Sequence, residues 1–248
     1  IAGLFLALLA VSYGQLTADQ KLVEFRQLAG LYARMYAPAE WKKQAVKHDL
    51  LDLSVWSERI RTSKDDLEFL ELMSEYVSRL EDGHDYFLIR SSFSARLGFT
   101  VDIYDGKFLI DRVDRVALPA SRFSADTGDE LISLDSVTPE EWVKRLRQYG
   151  TTGYERSTRR ETASLITSRP QFLIPRAHEI GDTARVEVRL KSGETQVFDL
   201  RWIKSGEPLT KIGPVTPPWI SAAPVRREAS STDPKALWRQ LTTWKRRK

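Results

Sequence analysis

The stretch "GDELISLDSVTPEEW", residues 128–142, packs three elements into one short run. Leu131, Ile132 and Leu134 form a short apolar run of the kind that makes a buried strand. A tight turn follows, and then a helix whose start is fully specified. Thr138 stands where an N-cap hydroxyl is needed, and Pro139 takes the first helical position, where its missing N–H costs nothing. Glu141, three residues past the cap, completes a capping box. Trp142, Val143 and Leu146 give this helix its apolar face. A single cap is worth about 1 kcal/mol, so the strand-to-helix boundary is sharply set.

Working outward, β-rich runs lie on both sides. "RLGFTVDIYDGKFLIDRVD", residues 96–114, contains two strands joined by Asp105-Gly106, a strong short-range hairpin signal. "ARVEVRLKSGETQVFDLRW", residues 184–202, gives two alternating strands around Ser192-Gly193. Between the capped helix and this last hairpin, residues 150–182 are less regular, with a helix predicted around Glu155 to Thr167 and breakers at Pro170 and Pro175.

Upstream, residues 16–92 read as helical. Thr17 and Gln20 form a Thr-x-x-Gln capping box. Leu22, Phe25, Ala29, Tyr32 and Tyr36 then recur at three- and four-residue spacing, one apolar stripe closed by Pro38. A second helix holds Val55, Trp56 and Ile60. A third, predicted to start at Ser63, carries Leu67, Leu70, Met73, Val77 and Leu80. The fold class is therefore α+β: a helical N-terminal domain, then a partly open β-barrel or sandwich with two or more helices.

The ends of the chain have a different character. "IAGLFLALLAVSYGQ" at residues 1–15 is an apolar run of signal-peptide length with Ser12 and Gly14 at a plausible cleavage point, and is predicted to be the remnant of a signal peptide. It is too short for a stable membrane span, which needs about 20 apolar residues. Export to a periplasmic or extracellular location is the expectation. After Trp202 the periodicity stops, and four prolines fall between Pro208 and Pro218. Residues 204–248 are expected to be a Pro-rich linker and a disordered basic tail.

Composition excludes several classes of function. The chain carries 38 Lys and Arg against 34 Asp and Glu, a net charge of +4. Eight of those basic residues and only two acidic ones lie in residues 226–248, which leaves 30 against 32 in residues 1–225. The folded part is slightly acidic, and a nucleic-acid-binding face would need its cations on a folded element. There is no Cys, so disulfides, zinc–thiolate sites and thiol nucleophiles are excluded. No His pair has metal-ligand spacing, and neither a metal nor a cofactor is expected. His48 and His178 sit in polar stretches and are predicted to face solvent. The acidic pairs Asp65-Asp66 and Glu140-Glu141 are first-turn residues favoured by the helix dipole, not an acid–base pair.

The order of strand, Asp-Gly turn, strand, "GDELISLD", capped helix and final hairpin is similar to a bacterial-type PDZ domain over residues 93–203. "LGFTV", residues 97–101, resembles that family's carboxylate-binding loop and following strand. "GDELISLDSVTPEEWVKRL" resembles its Gly-Asp segment and groove-lining helix. An insertion at about 150–182 stands where such domains usually have a turn. This resemblance implies a groove for an extended peptide or protein C-terminus, which would add to a sheet edge as a further strand. The N–H groups of Leu97, Gly98 and Phe99 are the expected carboxylate donors, and Thr100, Trp142, Val143 and Leu146 the expected groove side chains.

A second resemblance lies just before it. "LMSEYVSRLEDGHDYF", residues 72–87, is similar to the end of the helical region in the tail-specific, C-terminal-processing serine protease family, whose PDZ domain follows directly. Relatives carry a larger catalytic core with a nucleophilic Ser and a Lys base; in tricorn-type relatives a His at the position of His84 is the base instead. The 46 residues after Trp202 cannot build a core of that size. No Ser with an adjacent base and oxyanion hole can be assembled here. The resemblance thus implies the recognition portion of a serine-type peptidase, with His84 the one candidate for a catalytic role. The rival expectations are a non-catalytic periplasmic adaptor and an inactive fragment.

Overall fold

The computed structural model describes residues 14–213. The predicted signal-peptide remnant up to residue 13 and the basic tail lie outside the described residues.

Four helices come first: α1 (Ala18–Met35), α2 (Ala39–Ala45), α3 (Ser54–Arg61) and α4 (Asp66–Ser78). The Thr17–Gln20 capping box forms in both directions. The third predicted helix starts later than its spacing suggests, because Asp65, not Ser63, accepts the Glu68 N–H as N-cap. Phe25, Trp56, Ile60 and Tyr76 form the centre of this core. Phe25 and Trp56 both meet the Tyr76 ring edge-on, at 5.0 and 5.4 Å, and the Tyr76 hydroxyl donates to Leu50 O. His48 does not face solvent as expected. Its ring lies edge-on to Trp56 and Tyr76, its Nε2 is buried without a partner, and burial pushes its pKa down.

The strands form two sheets. One has three short strands, β1 (Ser94–Arg96) between β5 (Ser168–Pro170) and β8 (Ile203–Ser205). The other has five in the order β2 (Phe99–Tyr104), β3 (Lys107–Val113), β4 (Glu130–Leu134), β6 (Thr183–Arg189) and β7 (Thr195–Arg201), with each adjacent pair antiparallel. The β2–β3 hairpin turns on Asp105-Gly106, as the sequence predicts. Two more helices, α5 (Pro139–Leu146) and α6 (Glu155–Ser164), lie between β4 and β5 in the chain. Phe99, Val101, Ile110, Leu131, Val186 and Leu200 are all buried in the core these elements share.

The stretch at 128–142 folds as read, with one difference. The buried Asp129 carboxylate accepts the N–H groups of Asp126 and Lys191 and so fastens two turns. Asp135 and Ser136 both take positive φ, and the Asp135 carboxylate accepts Arg185 N–H. Thr138 caps α5 as expected, but Glu141 does not reach back to complete the box; its carboxylate pairs with Arg145 and Lys144 instead.

Two segments for which the sequence predicts no strand each supply one to the fold, the first alongside the helix predicted around Glu155. Residues 150–182 supply α6 and β5, and residues 203–205 pair with β1 as β8. Beyond β8, the buried Gln171 amide donates to Leu209 O and accepts Leu209 N–H. The buried Asp66 carboxylate accepts the N–H groups of both Leu16 and Ile212. Hydrogen bonds to a charged group contribute roughly 1.5–3 kcal/mol each, so residues 203–213 are held in place and are not a linker.

Candidate functional site

β2 is an outer strand of the five-stranded sheet, and its hydrogen-bonding pattern decides what it offers. Asp114 N–H donates to Gly98 O at 2.8 Å, and in an antiparallel ladder bonded and non-bonded pairs alternate. Phe99, opposite Val113, therefore turns its N–H and C=O away from β3. A register shift between Thr100 and Val101 resets the count. Ile110 spends its N–H and C=O on Asp129 and Gly128, so Val101 opposite it also faces outward. The edge thus leaves the backbone of Phe99 and Val101 facing outward, unpaired by the sheet.

That edge is closed at its far end. The Asp102 carboxylate accepts Ile103 N–H at 2.7 Å, covering the next outward donor. The same carboxylate is gripped by Arg160 of α6 through Nε, at 2.9 Å, and Nη2. Arg160 holds the Asp102 carboxyl below the usual carboxylate range. Beside this bridge a groove of about 430 Å³ runs between Thr100–Asp102 on one side and Ser157, Arg160, Glu161 and Ser164 on the other.

At the near end lies a cleft of about 580 Å³, lined by Arg96, Gly98, Phe99, Thr100, Arg112 and Thr167, with Asp114 and Arg115 at its rim. Gly98 takes φ +86°, and among the described residues no group accepts its N–H. Arg96 pairs with Asp114 at 2.9 Å and holds that carboxyl down. Arg115 donates to Phe123 O and Ala125 O and so serves the loop behind the cleft. Arg112 is exposed and makes no ion pair among the described residues. The Thr167 side chain is fully buried and its hydroxyl has no partner.

The expected site residues divide into two groups. Gly98, Phe99 and Thr100 do line the cleft. Leu97 does not serve as a donor: its N–H is already given to Thr167 O at 3.0 Å and its side chain is fully buried. Val143 and Leu146 are buried in the core, and Trp142 packs against it with its indole N–H given to Leu134 O. The Trp142 ring also takes the Arg169 guanidinium at 4.5 Å; burial pushes the Arg169 pKa down to about 10. The helix beside β2 is α6, not α5, and the sequence reading missed Arg160, Glu161, Arg112 and Thr167. Arg160 and Glu161 lie in the segment taken as an insertion.

His84 stands apart. Its side chain is 98% exposed, with Nδ1 3.3 Å from Asp82 Oδ1. Asp82 accepts the Tyr36 hydroxyl at 2.7 Å, and Asp85 the Tyr32 hydroxyl at 3.4 Å. These are contacts that fix the end of the helical region. His178 is half-buried, not solvent-facing, with Nδ1 2.9 Å from Gln171 Nε2. Among the described residues no group of three His, Asp or Glu side chains could hold a metal ion, and no helix is long and apolar enough to cross a membrane.

An open outer strand, a glycine loop at its start and a helix alongside are similar to the features of a PDZ domain, and residues 93–212 match the PDZ domain family model. The architecture of the whole is shared with CPAF. Mature CPAF complexed with lactacystin superposes with a TM-score of 0.65 at 22% identity, over 77% of this chain and 36% of that one. Mature CPAF alone gives 0.64 at 22% identity over the same shares. The match covers more of the chain than residues 93–212, so it takes in helices before the PDZ domain as well. The photosystem II D1 C-terminal processing protease aligns at 13% identity with a TM-score of 0.32, too small a likeness to build on. No curated protein matches the sequence. The chain spans about a third of the length of the CPAF structures. In fold the chain carries helices followed by a PDZ-like region, an arrangement it shares with CPAF.

Proposed function

We propose that the groove between β2 and α6 holds the free C-terminal end of an extended polypeptide. The observation that carries this reading is the juxtaposition of the outward-facing backbone of Phe99 and Val101 with the unclaimed Gly98 N–H at the head of the cleft. A peptide adding antiparallel to β2 brings its last residue to Gly98, where the Gly98 and Phe99 N–H groups meet the terminal carboxylate. Each such charge-assisted bond contributes roughly 1.5–3 kcal/mol. Because Leu97 is fixed to Thr167 O, the loop is held in one conformation before the ligand arrives, which reduces the ordering cost of binding.

In its wider role the chain is the substrate-recognition part of a serine-type peptidase that acts on exported proteins. The resemblance of residues 72–87 to the tail-specific protease family supports this, as does the apolar run at residues 1–15. The PDZ groove would hold the tail of the substrate while the peptide bond is cut elsewhere.

The test is binding of an unstructured ten-residue peptide with a free or an amidated C-terminus, followed by fluorescence anisotropy. Amidation is expected to weaken binding more than tenfold, the equivalent of about 1.4 kcal/mol. Equal affinity for acid and amide would remove the carboxylate role of Gly98 and Phe99. Cleavage of the peptide by this chain alone would contradict a purely recognising role.

A further inference from the structure

We infer that the cleft at Gly98 selects polypeptides whose last residue is itself acidic, a C-terminal Asp or Glu that brings two carboxylates to one site. The inference rests on the carboxylate reading above and names the ligand class for it. Three observations carry it.

The largest apolar side chains at the head of the cleft are not open to a terminal side chain. Phe99 and Leu118, the large apolar side chains nearest Gly98, are each 3% exposed and already packed in the core. The cleft has more volume than one carboxylate fills, and beside Val113 its lining includes the polar side chains of Thr100, Arg112, Thr167 and Ser168.

Its charge is also unbalanced. Asp114 neutralises Arg96, and Arg115 is committed to backbone carbonyls and to Asp126, whereas Arg112 has no ion-pair partner among the described residues. Arg112 lies opposite Thr100 in the β2–β3 ladder and lines both the cleft and the groove, so its guanidinium stands where the terminal side chain passes from one to the other. A guanidinium offers a planar fork that matches a carboxylate.

The third observation is the Thr167 hydroxyl, fully buried and without a partner, on a residue that lines the cleft. A buried hydroxyl left unpaired is costly, and an acceptor oxygen in the cleft would relieve it. The terminal carboxylate would use the Gly98 and Phe99 N–H groups, and the side-chain carboxylate would use Arg112.

The experiment uses the full chain and one ten-residue peptide ending in Glu, Gln or Leu, each as free acid and as amide. The Glu-ended acid is expected to bind roughly tenfold tighter than the Gln-ended acid, the effect of one charge-assisted hydrogen bond. In Arg112→Gln that gap is expected to close, and in Arg112→Lys to persist in part. Arg112 is exposed and unpaired, so neither variant removes a contact on which folding depends; matching thermal melts confirm this. If the Gln- or Leu-ended acids bind as tightly as the Glu-ended one while acids still outbind amides, this inference fails and the carboxylate reading stands. If Arg112→Gln keeps the full Glu-over-Gln gap, the assignment to Arg112 fails. Should acid and amide bind alike in all three pairs, both readings fall together.

Discussion

A Cβ placed on Gly98 would lie 3.0 Å from Leu118 Cγ and 3.1 Å from Leu118 Cδ1, on a backbone held at φ +86°. Both facts penalise any other residue there. The left-handed conformation costs a side-chain-bearing residue about 1–2 kcal/mol, and the contact requires Leu118, itself 3% exposed, to shift within the core. Gly98→Ala is therefore expected to lower stability by on the order of 2 kcal/mol, read as a fall in urea midpoint. It is also expected to weaken free-acid peptides about tenfold, because the loop can relax only by turning its N–H groups. Unchanged peptide affinity in a destabilised variant would separate the fold from the site. At this scale the sequence was informative: the Leu-Gly-Phe run marks the loop. That Leu97 gives its N–H to Thr167, seventy residues later, is a long-range contact that no local pattern encodes.

Among the elements, signals between sequence neighbours are legible in the sequence and long-range ones are not. Thr138 caps α5 because cap and helix are neighbours in sequence, and the Asp105-Gly106 hairpin closes for the same reason. Which helix stands beside β2 depends instead on packing. The α6 sequence, ERSTRRETAS, has no large apolar stripe; its buried residues are Thr158, Thr162 and Ala163. It packs by close approach, and a Cβ on Gly150 would lie 2.5 Å from Thr162 Oγ1. The sequence predicts a helix there, but a face of small buried side chains gives a period-based reading nothing that places it against β2. β5 and β8, three residues each, are likewise too short to show a period.

The Asp102–Arg160 bridge yields a prediction of its own. It covers Ile103 N–H, so only the segment from Phe99 to Val101 is free to pair with a ligand. Arg160→Ala is expected to leave a four-residue peptide unaffected and to tighten a ten-residue peptide severalfold, as the edge opens beyond Val101. Because Arg160 is about half exposed, little change in stability is expected. Identical gains for both peptide lengths, measured by calorimetry, would show that the bridge does not limit the reach of the edge.

Across the whole molecule, Arg176 connects the helical region to the segment behind β5. Its guanidinium bonds both Asp65 oxygens at 2.8 and 2.9 Å, Glu71 at 3.3 Å and Glu179 at 2.7 Å. Burial pushes the Asp65 carboxyl up, but the hydrogen bonds from Arg176 and the Glu68 N–H outweigh it and hold it below its ordinary value of 3.8. A depressed carboxylate adds stability above that ordinary value and loses it as pH falls through the folded one. Glu71 has the opposite sign: burial raises its pKa despite Arg176, and its contribution fades as pH rises. Arg176→Ala is accordingly expected to cost on the order of 2 kcal/mol at pH 7, with the difference from wild type shrinking below about pH 4. Urea titrations at pH 7 and pH 3 measure this; a pH-independent difference would mean that Asp65 is not the group involved.

The excursion at residues 150–182 has a mechanical consequence. One uninterrupted piece of chain makes the groove wall with Arg160, brings Thr167 to the cleft, anchors Leu209 through Gln171, and ends on the α4 cap through Arg176. The pocket and the bundle of helices are thus coupled like a jaw to its hinge. Cutting the molecule at residue 93 would leave the cleft and groove without their brace, so a minimal fragment that preserves them has to keep the helices as well.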